Sequence, residues 1–430
     1  MNRKLCSAIA EIPAVDIHSH IDRNQMSAND IDLLLFYHML RYPMMASGFE
    51  KDLLWKWESI SGEERAVRFG KWLELWPLIE NTSFAWILKT FLKDLYGFSK
   101  PLTRASFPEL QKRFSERSVS NSFAREVMDK GRIELILSSK FMNLKPLAQG
   151  EWDGRMLFTN EHGLSGGVHE YRTWPERLKK MEEKAGRQIG DIAGLRKVLE
   201  DYYARFDWSS MHAYVAWISS MADFTPVKDP VVDRIIGKVN ETADGKGASP
   251  EDLRILEAAF IRATCGAIRG KVKIFQLVYG CQFQTAGHRH PEQRAAWDYT
   301  NGLGLLCAEF PDLHFNILNG YEPDEPELCS LALAYDNLSL GGFWWHTFYP
   351  SVMKTAWRRR LEMVPVSRLQ GFFSDGYCVD WVYGRLAMTR KVLSEVLSEK
   401  VEQGYYSVNQ AVRIAEDVLR IQPKKLFGIP

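Results

Sequence analysis

The apolar positions of the chain follow two regimes that meet near Gly131. Before that point helical spacing dominates. ERAVRFGKWLELWPLIE, FAWILKTFLKDLYG and FPELQKRFSERSVSNSFAREVMDK repeat large apolar residues every three to four positions, which predicts helices with one buried stripe. Residues 49–131 therefore read as a helical insertion whose tryptophans belong mainly to the core. Beyond it, short runs rich in β-branched and aromatic residues alternate with helical segments. Residues 132–138, 155–159, 213–219, 272–279, 313–318, 338–345 and 369–374 are such runs, and residues 14–17 add an eighth. Helices are predicted over 174–185, 195–205, 250–268, 291–308 and 326–334, and another around 33–40 that Pro43 should end or bend. Strands alternating with helices imply parallel βα units, and eight such units close into a TIM (β/α)8 barrel. An open doubly wound sheet is the competitor. No G-x-G-x-x-G follows any strand, however, and Gly302 and Gly304 fall inside a predicted helix. The expected fold is thus α/β, one barrel domain over residues 1–430 carrying the 49–131 insertion.

In a barrel, active sites form where the strands end. In PAVDIHSHID near the N-terminus, Val15 and Ile17 alternate with Asp16 and His18, so the pleat sends His18 and His20 to one face, roughly 7 Å apart. Imidazole suits zinc and similar divalent ions, but two histidines make only half a site. The missing carboxylate is expected from Asp375, which ends the eighth strand and so lies beside the first once the barrel closes. The plainer alternatives are a packed histidine pair and, for Asp375 in Ser-Asp-Gly, a helix N-cap. His38 and Arg41 stand three apart on a predicted helix and occupy neighbouring positions there. Asn160, Glu161 and His162 follow the third strand, Gln276 and Tyr279 close the fifth, Asn316 and Asn319 the sixth, and Trp344, Trp345 and His346 the seventh.

Composition narrows the partners. Lys plus Arg (55) balance Asp plus Glu (54), which excludes a global field for nucleic acid or an anionic membrane and points to a small molecule. Six scattered cysteines with no C-x-x-C pair argue against a disulfide framework and a zinc ribbon. No uncharged run is apolar enough to span a bilayer, and a cytoplasmic protein is expected. Oligomeric state is left open between monomer and homo-oligomer.

The histidine pair on the first strand with an aspartate ending the eighth resembles the amidohydrolase superfamily. Tyr37-His38 after the metal strand, the helical insertion, SPEDLRILEAAF before the fifth strand, Gly342-Phe343-Trp344-Trp345 near the seventh and Ser374-Asp375 at the eighth look like its uronate isomerase branch. The resemblance implies a distorted TIM barrel, one divalent ion (zinc being expected) on His18, His20 and Asp375, and interconversion of a hexuronate with its keto form. In that setting Asp375 is a candidate base, His38 and His346 are candidate proton carriers, and Trp344 and Trp345 wall the site. The sequence also departs from the family. Tyr377 stands where an arginine usually holds the uronate carboxylate, Thr159-Asn160 replaces another arginine, and Gln276-Leu277-Val278-Tyr279-Gly280 lacks the usual histidine. A phenol lacks the fixed charge and bidentate geometry of a guanidinium. Arg41, one position early against the family pattern, Arg289, in Gly287-His288-Arg289-His290 after the fifth strand, and Arg385 are the candidate substitute cations beside Tyr377 for substrate binding. Two further readings stay open: a metal-dependent hydrolase of a lactone, ester or amide, and a non-catalytic sugar-acid-binding barrel.

Overall fold

The computed structural model describes residues 2–55, 62–117, 121–139, 155–161, 174–217, 222, 224–241, 247–280, 282–283, 291–292 and 299–430. Among them, seven parallel strands pair in chain order: β1 (Ala14–Ser19), β2 (Ile133–Ser138), β3 (Met156–Glu161), β4 (Met211–Trp217), β5 (Ile274–Tyr279), β6 (His314–Asn319) and β7 (Leu338–Phe343). β1, β5 and β7 are buried along their whole length, as parallel strands covered on both faces must be.

The eighth position is filled differently from the expectation. Residues 369–376 run between β7 and β1 without forming a ladder strand. Leu369 makes one parallel bridge to Leu340, and the Gln370 N–H donates to the Leu340 carbonyl at 2.9 Å. On the other side, the N–H groups of Ile17 and Asp375 donate to the carbonyls of Phe372 and His18 (both 3.2 Å), and that of His20 to Gly376 (2.8 Å). The ladder is broken at Gly371, whose N–H turns to the Val418 carbonyl at 2.7 Å; a Cβ there would stand 3.1 Å from the Val418 side chain.

Side chains supply what the backbone ladder omits. Asn316 Nδ2 donates to Ser339 Oγ (3.0 Å) and Gln370 Oε1 (2.7 Å), while Gln276 Nε2 donates to Asn316 Oδ1 (3.2 Å) and the Ile17 carbonyl (3.1 Å). These buried amides link β5, β6, β7, the eighth segment and β1, where barrel interiors more often hold branched apolar residues.

The helices Trp174–Ala185 and Pro250–Ile268 cover the expected residues; the second opens with Ser249 and Asp252 in a reciprocal capping box and Pro250 at its first position. Helices Ile192–Tyr203 and Glu325–Ala334 lie close to their expected bounds. Over 291–308, only Tyr299–Glu309 is helical among the described residues, and Pro291–Glu292 pairs with Gln282–Phe283. Proline suits a strand edge as well as a helix start, so the sequence signal was ambiguous there. The helix expected around 33–40 is split into Asp32–Leu35 and His38–Ala46, and Pro43 lies within the second piece without ending it. The break comes earlier, at Phe36, whose carbonyl accepts from Arg41 Nε at 2.5 Å. No described helix is long and apolar enough to cross a membrane, and the five described cysteines are free.

The insertion helix Ser83–Tyr96 packs on the helix Val379–Glu402 that follows the eighth segment. Phe91 meets Trp381 edge to face at 5.0 Å, Tyr96 OH donates to Asp380 at 2.6 Å and Tyr383 OH to Asp94 at 3.1 Å. On these contacts we propose that residues 49–131 are a docked insertion of one domain. Gly384 permits the approach, because a Cβ there would come within 2.6 Å of the Ile87 side chain and 2.9 Å of Phe91. Gly384→Ala should therefore cost about 1–3 kcal/mol in urea unfolding. Unchanged or increased stability would show that the two helices are not held this closely.

Candidate metal centre

Asp375 lies at the seam between the eighth segment and β1, with left-handed backbone (φ 56°). Aspartate tolerates this conformation better than most residues, and it turns the carboxylate toward the histidines. Two anchors fix it. The Asp375 N–H bonds the His18 carbonyl, and the preceding Ser374 N–H donates to buried Asp16 at 2.9 Å. Asp375 Oδ1 stands 3.0 Å from His20 Nε2, and Oδ2 stands 3.4 Å from His38 Nε2. Burial works against its charge, yet the bonds with His20 and His38 outweigh burial and hold the carboxyl well below the usual carboxylate range.

The rings of His18 and His20 meet edge to face at 5.0 Å. One ligand atom each from His18, His20 and Asp375 fall within 4.8 Å of one another. Two imidazole nitrogens and a carboxylate oxygen at that spacing are a donor set for a divalent transition ion, and three protein ligands leave a position open for substrate. The set also has outer support: His20 Nδ1 is backed by Ser139 Oγ at 2.9 Å, and the His18 ring rests edge to face on Phe373 at 4.9 Å.

His38 opens its helix from the break at Phe36 and Tyr37. Burial lowers its pKa and so favours the neutral ring, with Asp375 partly opposing this, and Nδ1 has no hydrogen-bond partner among the described residues. Tyr37 OH donates to the Asp375 carbonyl at 2.8 Å, and its ring stacks on Trp381 at 4.0 Å. Tyr377, 44% exposed, stacks over His20 at 5.2 Å and meets His38 edge to face at 5.4 Å. Trp345 closes the other side at 5.3 Å from His38.

Trp345 also has left-handed backbone (φ 43°), an outlier for so bulky a residue. Asn319, ending β6, holds that turn: its carbonyl accepts from Trp344 N–H (3.2 Å) and Thr347 Oγ1 (2.7 Å). Its side chain accepts from Tyr321 N–H (2.9 Å) and donates to Glu325 (2.8 Å), a fully buried acid paired with Arg360.

Other sequence candidates sit differently. Trp344 is buried and meets Trp345 edge to face at 6.0 Å, and His346 is half-buried in the same short turn. Arg41 is buried and bonded to Phe36; burial and nearby Arg68 push its pKa down to about 10, with Tyr377 and Tyr42 acting the other way. Arg289 and His162 lie outside the described residues. Ser139, Asn319 and Tyr37 are the supports that sequence reasoning passed over or left without a role. The strand-end rule points to Ser138-Ser139 at the end of the second strand, and that strand end went unread.

No protein-family model matches the chain. Over nearly its whole length it is similar to the uronate isomerase of Thermotoga neapolitana, 28% identical over 459 aligned positions that cover 99% of this chain and 96% of the relative. The chain is a homologue of the uronate isomerases. Its fold agrees with theirs: the glucuronate isomerase of Caulobacter crescentus superposes with a TM-score of 0.79 (17% identity, 99% of this chain and 93% of the other). The uronate isomerase of Thermotoga maritima gives 0.77 (17% identity, 99% and 96%). The expected α/β barrel is thereby the barrel of uronate isomerases, with its eighth strand reduced to the segment at residues 369–376.

Asn319→Ala should destabilise the protein by about 1–3 kcal/mol, because it strands the Tyr321 N–H and one oxygen of buried Glu325. Chemical denaturation checks this. A change below a few tenths would mean that water takes over both bonds and that the turn is held by other contacts.

Proposed function

We propose that the protein is a metal-dependent isomerase of sugar acids, interconverting an aldose hexuronate and its ketose form. The observation that carries this reading is the convergence of His18, His20 and His38 on Asp375 in a barrel homologous along its length to uronate isomerases. His18, His20 and Asp375 would hold one divalent ion, zinc being the ion expected. When bound, that ion would polarise the substrate oxygens and lower the cost of removing a proton beside the carbonyl. Aldose and ketose differ by moving one proton between neighbouring carbons and one between their oxygens, so the chain must supply a group that takes and returns protons.

His38 suits that task. It is neutral near pH 7, and its Nδ1 is not occupied by a described hydrogen-bond partner. Asp375, whose carboxyl the bonds with His20 and His38 hold below the usual carboxylate range, serves first as a ligand and second as a candidate base. Tyr37 orients Asp375, while Trp345 and Tyr377 shield the site from water and offer flat faces to a sugar ring. His346 remains a second proton carrier of this proposal, and Arg41 and Arg289 its candidate cations for the substrate carboxylate. The substrate is a small molecule, and the near balance of charge gives no reason to expect nucleic acid or a membrane as partner.

Tyr377 favours one rival reading, hydrolysis of a lactone or ester, because the arginine that the family uses for a uronate is absent from that place. An assay of glucuronate and galacturonate for ketose formation, run beside a panel of sugar lactones, separates the two. Uronate turnover should fall about a hundredfold or more in His38→Asn and should rise in Tyr377→Arg if the pocket keeps the uronate shape. Lactone hydrolysis without ketose formation would replace isomerase by hydrolase.

A further inference from the structure

We propose that Ser139 is a positioning residue whose hydroxyl turns between two acceptors, so that His20 rests in one tautomer without a metal ion and in the other with one. The inference rests on the metal centre of the reading above. Ser139 is buried at the end of β2, with its Oγ 2.9 Å from His20 Nδ1 and 3.1 Å from the Ser19 carbonyl. The opposite nitrogen of the ring, Nε2, is 3.0 Å from Asp375 Oδ1.

A serine hydroxyl carries one proton and can also accept, and a neutral imidazole carries one N–H and one lone pair. Without a cation, the favourable arrangement places the ring proton on Nε2, donating to the Asp375 carboxylate. Nδ1 then offers its lone pair, and the Ser139 hydroxyl donates to it. If His20 is to hold a cation together with Asp375, Nε2 must offer its lone pair, so the ring proton would sit on Nδ1. That N–H donates to Ser139 Oγ, and the hydroxyl turns to the Ser19 carbonyl. The ring is neutral in both arrangements and holds the same number of protons. Every polar atom named is satisfied in each, which a site that must load an ion inside a buried cluster requires.

Only a group that both donates and accepts at this point can serve the two states. The barrel fixes its place: Ser19 and Ser138 are partners in the β1 and β2 register, the Ser139 N–H donates to the Ser19 carbonyl at 2.9 Å, and Ser19 Oγ donates to the Leu137 carbonyl at 3.1 Å. The hydroxyl therefore reaches both acceptors by rotation about one bond, with no backbone movement. A ring that gives its Nε2 lone pair to a cation is also a stronger Nδ1 donor, so the hydroxyl contributes more to the loaded state than to the empty one.

The test is a competition titration of the metal-stripped full-length protein with zinc ions against a chelating dye, with nitrogen-15 NMR of the histidine rings before and after loading. Ser139→Ala should bind zinc about 10–100-fold more weakly than the parent, and Ser139→Thr, which keeps the hydroxyl, should stay within about threefold. Ser139→Val, matched to threonine in shape, should behave like alanine and carries the comparison if the alanine variant folds poorly. His20 should show its proton on Nε2 when stripped and on Nδ1 when loaded. Unchanged zinc affinity in both hydroxyl-free variants, or a His20 proton on Nδ1 in both states, would overturn the proposal for Ser139 while leaving the metal centre intact. A parent that binds no zinc in the range of the dye would instead overturn the metal centre, and this proposal with it.

Discussion

The candidate site depends on how the barrel closes. The seam between residues 369–376 and β1 lacks a regular ladder, yet it has to place the Asp375 carboxylate against two histidines from the other side of the join. Backbone bonds from Asp375 to His18 and from His20 to Gly376, together with Asp16 gripping Ser374, make that placement. The same contacts that close the fold therefore assemble the candidate ligands. Buried amides of Gln276, Asn316 and Gln370 brace the seam from inside, at the cost of filling a barrel core with polar groups, of which Gln276 Oε1 finds no partner among the described residues.

Charge around the seam is arranged so that Asp375 stays ionised. His20 and His38 bond its two oxygens, while buried Arg385 lies below, stacked on Phe348 at 3.4 Å. Burial pushes the Arg385 pKa down to about 10, opposed by Tyr37, Asp375 and Asp16, so the guanidinium remains a cation under the cluster at neutral pH. It is enclosed by the rings of Phe84 and Phe348, and position 377, where the uronate isomerase resemblance leads one to expect an arginine, has none. Tyr377 puts a stacked, partly exposed ring there instead, which changes what the mouth of the site can recognise without disturbing the three ligands.

Much of this was legible in the sequence because it rests on local signals. Alternation in AVDIHSH marked the first strand, the switch of period near Gly131 separated the helical segment from the barrel strands, and the closure rule linked Asp375 to His18 and His20 across more than three hundred residues. What stayed hidden depends on register and on long-range hydrogen bonds. Ser139 matters only because β2 pairs with β1 in one register, and Asn319 only because it meets the backbone of Trp344. Arg41 Nε bonds the Phe36 carbonyl at the helix break, a contact that no periodicity reveals. The eighth strand failed as a ladder because Gly371 found a partner in the C-terminal helical region, at Val418.

The central claim is that one divalent ion, shared by His18, His20 and Asp375, is what makes this barrel an isomerase. Elemental analysis of the parent and of Asp375→Asn, purified side by side without chelator and assayed for ketose formation from glucuronate, tests it most directly. About one ion per chain is expected in the parent, with metal and activity lost together in the variant. Equal metal content in both proteins, or isomerisation that persists after the metal is gone, would contradict it.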